Sequence, residues 1–115
     1  MPERYNIAHF SEIAPQACPC GQTRRAFVGD PDGIATFHVV QIRADSQVHY
    51  HKRLTEIYYV LEGAGHVELD GDRLPVRPGS VIQIKPHCRH RAAGDLKVIV
   101  VAIPAFDAED EWFDS

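Results

Sequence analysis

HYHKRLTEIYYVLEG, residues 49–63, is the stretch on which the reading of this chain turns. Successive side chains of a β-strand point to opposite faces, so His49 and His51 share one side and Tyr50 takes the other. Their Cα atoms then lie about 6.5 Å apart, close enough for two imidazoles to lean together onto one metal ion at about 2.1 Å. Residues 52–55 are long enough for a turn, after which Glu56 opens a second β-rich run, 57–61. A carboxylate at the head of an apolar strand is costly unless it is paired or metal-bound. An H-x-H pair alone is equally well explained by a half-exposed strand with two surface histidines. Glu56 and a third histidine downstream move the balance toward a metal. By alternation Tyr58 and Val60 share the face of Glu56, which makes Tyr58 a candidate proton or hydrogen-bond donor to a substrate, the plainer reading being a wall aromatic.

Working outward, short runs rich in Val, Ile, Tyr and Phe lie between frequent Pro and Gly residues. Strands are expected over 36–43, 57–61, 65–69, 80–85 and 96–103, with shorter ones at 25–28 and 48–51. Asp70-Gly71 is a two-residue hairpin signal joining 66–69 to 73–76. Helix is expected only near the ends, at 10–13 and 108–113, the latter capped by Asp107 with Glu109 and Asp110 in its first turn. Many short, closely spaced strands indicate an all-β barrel or sandwich. Pro78-Gly79 turns into the run 81–85, and Pro86 ends it before a loop that delivers His90. Gln83 interrupts that run and projects a polar group either inward, as a candidate catalytic residue, or to solvent.

The 115 residues make one domain, 44% hydrophobic and 24% charged, with a formal net charge of -4. No basic stripe exists to neutralise phosphates, so nucleic acid is not an expected partner. The longest apolar run, 98–103, is far too short to cross a bilayer, and no basic segment precedes an apolar one at the N-terminus. A cytoplasmic location is expected, with no membrane partner. Three cysteines argue against a disulfide framework. Cys18 and Cys20 are expected as free thiols, since a bridge at that spacing is strained, and Cys88 as a buried, inert one. His38 is expected to be structural, His87 a solvated loop residue, and Arg24 and Arg25 surface partners of Asp30 or Asp32. At a cavity edge the same arginines would favour a carboxylate or phosphate.

Two segments together resemble the two signature motifs of the cupin superfamily. The first motif, G-x5-H-x-H-x3-4-E-x6-G, is met by His49, His51, Glu56 and Gly63. The second, a P-G-D turn followed by a proline and a histidine, is met by Pro78-Gly79, Pro86 and His90. Arg43 stands in place of the leading glycine, Ser80 in place of the turn acid, His87 where glycine is common and Gly94 where asparagine closes the motif. None of these departures removes a ligand. The resemblance implies a double-stranded antiparallel β-barrel of the cupin, or jelly-roll, type. It also implies metal ligands at His49, His51, Glu56 and His90, and a homodimer. The expected organisation is an N-terminal arm (1–22), the barrel (23–104) and an acidic tail (105–115).

Three imidazoles and one carboxylate exclude magnesium and calcium, which prefer oxygen ligands, and leave iron, manganese, nickel, copper, cobalt or zinc. Three neutral histidines, one carboxylate and a divalent cation sum to +1, so a small anionic ligand is the expected partner. An octahedral ion would keep two positions open for chemistry, whereas tetrahedral zinc would be nearly closed. The resemblance implies a metal-dependent enzyme, dioxygenase-like first and sugar isomerase- or epimerase-like second. A non-catalytic binding or sensor module is the rival.

Overall fold

The computed structural model describes residues 4–43 and 46–114. Its elements are β1 (Gln16–Cys18), β2 (Gly21–Ala26), β3 (Thr36–Ile42), β4 (Thr55–Leu69), β5 (Asp72–Val76), β6 (Val81–Ile84) and β7 (His90–Ile103). Two 3-10 turns, Phe10–Glu12 and Ala108–Asp110, are the only helical pieces among the described residues. Every pairing is antiparallel, in the order β1-β2-β3-β7-β4-β5, with β6 also on β4. The fold is thus the antiparallel β architecture expected. Residues 16–22, within the expected N-terminal arm, supply β1 and the start of β2 to one sheet edge.

The two long strands make the barrel. The first half of β4 pairs with the end of β7 and with β6; its second half pairs with the start of β7 and with β5. Residues 57–61 and 65–69, expected as separate strands, are therefore one. Their junction is a β-bulge between Val60 and Glu62 that leaves Leu61 as the extra residue. One extra residue inverts the alternation: Glu56, Tyr58 and Val60 are buried before it, and Val67 after it. The bend requires bare backbone. Gly63 (φ 95°) and Gly94 (φ 111°) face each other's strands so closely that a Cβ on Gly63 would overlap the Asp95 carbonyl oxygen. Val40, Ile42, Tyr58, Val60, Val67, Ile84, Ala92, Leu96, Val98 and Val100 fill the space between the two half-sheets.

Three other expectations need correction. Residues 48–51 form only isolated bridges, His49 to His90 and Tyr50 to Trp112. β7 starts at His90 rather than at 96, so His90 stands on a strand and not in a loop. Cys18 and Cys20 are disulfide-bonded, not free: the tight β1–β2 turn brings their Cα atoms to 5.2 Å, within bridging range. Asp70-Gly71 makes the hairpin turn as read, with positive φ at both residues.

Candidate metal centre

Backbone pairing places the first two ligands side by side. His49 N–H donates to His90 O at 3.0 Å and His90 N–H to His49 O at 2.9 Å, which sets their rings 4.4 Å apart. His51, two residues on, brings its ring to 5.3 Å from His49 and 5.5 Å from His90. Glu56 comes from the facing half-sheet, where it pairs with Ala102 at the far end of β7. Its Oε1 lies 3.2 Å from His90 Nε2 and 3.4 Å from His51 Nδ1. One ligand atom from each of the four residues falls within 4.8 Å of all the others. All four side chains are buried.

The ring orientations suit a cation. His49 Nδ1 lies 3.0 Å from Gln47 O and His90 Nδ1 2.8 Å from Cys88 O, so each Nδ1–H donates outward and each Nε2 faces in, that of His90 against Glu56 Oε1. His51 Nε2 is buried without any partner. Burial, then the neighbouring His90, lowers the His49 pKa to about 4, and burial also lowers that of His51. Burial alone would raise Glu56, but the His90 hydrogen bond and the nearby His51 outweigh it and hold the carboxyl low. Neutral imidazoles and an ionised carboxylate are the donor set a divalent transition ion requires, and the residues fit one.

The C-terminal segment braces this arrangement. Asp110 accepts backbone N–H groups of Lys52 (3.0 Å), Arg53 (3.0 Å) and Leu54 (3.1 Å), and Trp112 Nε1–H at 3.1 Å. Buried though it is, these donors hold its pKa at about 2. Asp110 thereby fixes the turn between His51 and Glu56. Sequence reasoning missed this, placing Asp110 only in a helical first turn; a carboxylate among tail acids carries no local mark of a partner 57 residues away. Asp107 does cap the short turn, accepting Glu109 N–H. Cys88 contributes its carbonyl to His90, and burial, with Asp70 nearby, raises its thiol pKa.

Of the further candidates, Tyr58 is brought to the site and Gln83 is not. Tyr58 is buried one inward position beyond Glu56, its ring 6.2 Å from His90. Burial, with Glu56 and Glu111, raises its pKa well above 10, so the hydroxyl stays a donor. Gln83 pairs with Ile57, on the opposite face, and is exposed. His38 lies on the inner face, its Nε2 2.8 Å from Thr36 Oγ1. Arg25, its cross-strand neighbour, has no ion pair with Asp30 or Asp32.

Comparison with known proteins bears on this geometry. A family model described as a cupin domain matches residues 36–104, more than half of the chain. An uncharacterised protein of Methanocaldococcus jannaschii is 32% identical over 76 residues, 63% of this chain but only 61% of that protein. A crystal structure of a protein from Planctomyces limnophilus is similar at 39% identity and a TM-score of 0.88, covering 98% of this chain and 97% of the other. Pac13, a nucleoside dehydratase, shares the fold at 24% identity and a TM-score of 0.81, over 98% of this chain and 95% of its own. The Pac13 of Streptomyces has been solved with uridine.

Proposed function

The chain belongs to the cupin family, and on that footing we propose that it is a metal-dependent enzyme acting on a small anionic molecule. The supporting observation is the convergence of four buried ligand atoms within 4.8 Å, with two imidazoles locked by carbonyls into the ligating tautomer. His49, His51, Glu56 and His90 would hold one divalent transition ion. Such an ion supplies Lewis-acid polarisation of a bound oxygen, or a place for dioxygen. The chain's own part is to keep His49 and His51 neutral by burial and to hold Tyr58 as a hydroxyl donor beside the ligands. With net charge +1 in a low-dielectric interior, the centre favours a carboxylate, enolate or hydroxide beside it.

Dioxygenase-like chemistry is the first reading of the open positions on an octahedral ion. Isomerase-type chemistry is the second, favoured by the protonated Tyr58 hydroxyl on the same inner face as Glu56. Elemental analysis of protein purified without chelator tests the common premise. One equivalent of iron, manganese, nickel, copper or cobalt supports it; a closed tetrahedral zinc with no exchangeable water would sink the enzyme reading and leave a binding module.

We also propose a homodimer. The outer face of β3, β7, β4 and β6 carries adjacent rows Phe37–Val101–Ile57 and Val39–Ile99–Tyr59–Val81. Phe37, Tyr59, Val81 and Ile103 are exposed there. Those rows hold no charge, so a second copy meets them without like-charge repulsion. Sedimentation should give twice the chain mass, and Tyr59→Lys with Val81→Lys should return it to one; a wild-type monomer refutes the proposal.

A further inference from the structure

Arg25 is a half-buried cation with no carboxylate in direct contact among the described residues. Its Nε is shielded from solvent and has no hydrogen-bond partner. One terminal nitrogen donates to Gln16 Oε1 at 3.3 Å, and the guanidinium carbon lies over the Phe106 ring, 3.9 Å from its centre. No carboxylate comes within ion-pair distance of it among the described residues. Burial costs this guanidinium part of its hydration, and Glu111 and Glu56 offset that only from beyond ion-pair distance, leaving Nε–H without a partner.

Its position explains the placement. Register runs Arg25–His38–Val100–Tyr58 across the inner face, one inward row from Thr36–Ala102–Glu56. Arg25 therefore shares a sheet face with Glu56 and Tyr58. Phe106, just past β7, folds back on that row and also meets His38 edge-on at 5.5 Å. A cavity of about 410 Å³, lined by Ile13, Gln16, Arg25, Phe106 and Asp107 among others, opens beside it, with the Asp107 carboxylate paired to Arg53. The Thr36 hydroxyl accepts Phe106 N–H at 2.9 Å and lies 2.8 Å from His38 Nε2, tying Phe106 and His38 to the same row.

We propose that Arg25 is the anchor for a carboxylate or phosphate group of the ligand, held by its terminal N–H groups against the Phe106 ring. The opposite end of that ligand then points along the row toward Tyr58 and Glu56. This deepens the enzyme reading above and rests on it for the second point of attachment; the anion anchor itself needs only Arg25, Phe106 and the cavity.

The test uses isotope-labelled full-length protein, metal-free and zinc-loaded, titrated with inorganic phosphate and with acetate while the Arg25 Nε–Hε resonance is followed. A saturable shift of that resonance is expected, and calorimetry should show Arg25→Gln weakening phosphate binding by at least about tenfold, with Arg25→Lys between. A silent Arg25 resonance, or equal phosphate affinity in Arg25→Gln, overturns the proposal; the wild-type resonance keeps it testable where the variant fails to fold. Protein that takes up no zinc yet shows the Arg25 shift loses the metal reading and keeps this one. Zinc-loaded protein with a silent Arg25 does the reverse.

Discussion

The inner face of the barrel holds two groups of buried histidines that satisfy their polar atoms in different ways. His38 has a partner within its own strand, the Thr36 hydroxyl, which in turn is bonded to the Phe106 backbone. His49, His51 and His90 instead turn their rings toward one point and toward Glu56, and His51 Nε2 is left with nothing. Both groups are equally buried and lose the same hydration. A histidine finished by its own neighbours contributes to the fold, whereas histidines completed only by something outside the chain define a site.

Removing ligands from each group is the harshest way to break that distinction. His49→Ala with His51→Ala should lower metal content below a tenth of the wild-type value, an affinity loss beyond the roughly 100-fold that even outer partners of ligands can cost. His38→Gln should leave metal content unchanged. Elemental analysis after dialysis reads both, and metal retained in the double variant would refute the ligand assignment.

Next in size is Asp110, which belongs to neither group yet holds the turn between two ligands. Asp110→Ala strands three backbone N–H groups and should destabilise the chain by about 4 kcal/mol, with weaker metal binding as a consequence. Asp107→Ala, which removes only a cap hydrogen bond and the exposed pair with Arg53, should cost about 1 kcal/mol. Chemical denaturation of both variants makes the comparison. Equal losses would mean that the tail, not Asp110, braces the site.

The contrast also shows what could be read before the fold was known. His49, His51 and Glu56 are legible because strand alternation and a short turn place them locally. His90 is legible only through its motif, since its bridge partner His49 is adjacent in space but remote in the chain. The single strand β4 was read as two because the Leu61 bulge inverts the in–out pattern midway, and periodicity cannot see an inversion. Asp110 and Arg25 were misplaced for a different reason: each acts on segments remote in the chain, and no neighbouring residue carries a trace of that contact. Gln83 was undecidable because polar residues interrupt inward and outward rows alike, and its pairing with Ile57 settles it outward.

A pH titration sharpens the comparison further. Burial, then the charge of Arg25, lowers the His38 pKa to about 4, against an ordinary value near 6.5. Between those values the unfolded chain takes up a proton that the folded one refuses, so stability falls as pH drops. The His38 contribution is whole above about pH 6.5 and fades through pH 4. Wild type should therefore lose about 3 kcal/mol more than His38→Gln between pH 7 and pH 4, measured by urea midpoints in metal-free protein. His49 titrates over the same window and is present in both proteins, so it cancels in the difference. Identical slopes would show that His38 is not held neutral.

The smallest effect separates the two catalytic candidates, Tyr58 by alternation with Glu56 and Gln83 as a polar break in an apolar run. Gln83 is exposed opposite Ile57, so Gln83→Ala removes an amide already in water and should move stability by no more than about 0.5 kcal/mol. Tyr58→Phe removes a hydroxyl kept protonated in a buried row with Glu56. It should leave the fold and metal content intact, because the ring still fills the wall and no ligand is touched. Its effect should fall on the binding of an anion beside the zinc-loaded centre, where one donor is lost, by a few-fold in the calorimetric affinity for acetate. An unaltered acetate affinity in Tyr58→Phe, with Gln83→Ala as the matched control, would return Tyr58 to the role of a wall aromatic and leave the four ligands and Arg25 to hold the anion between them.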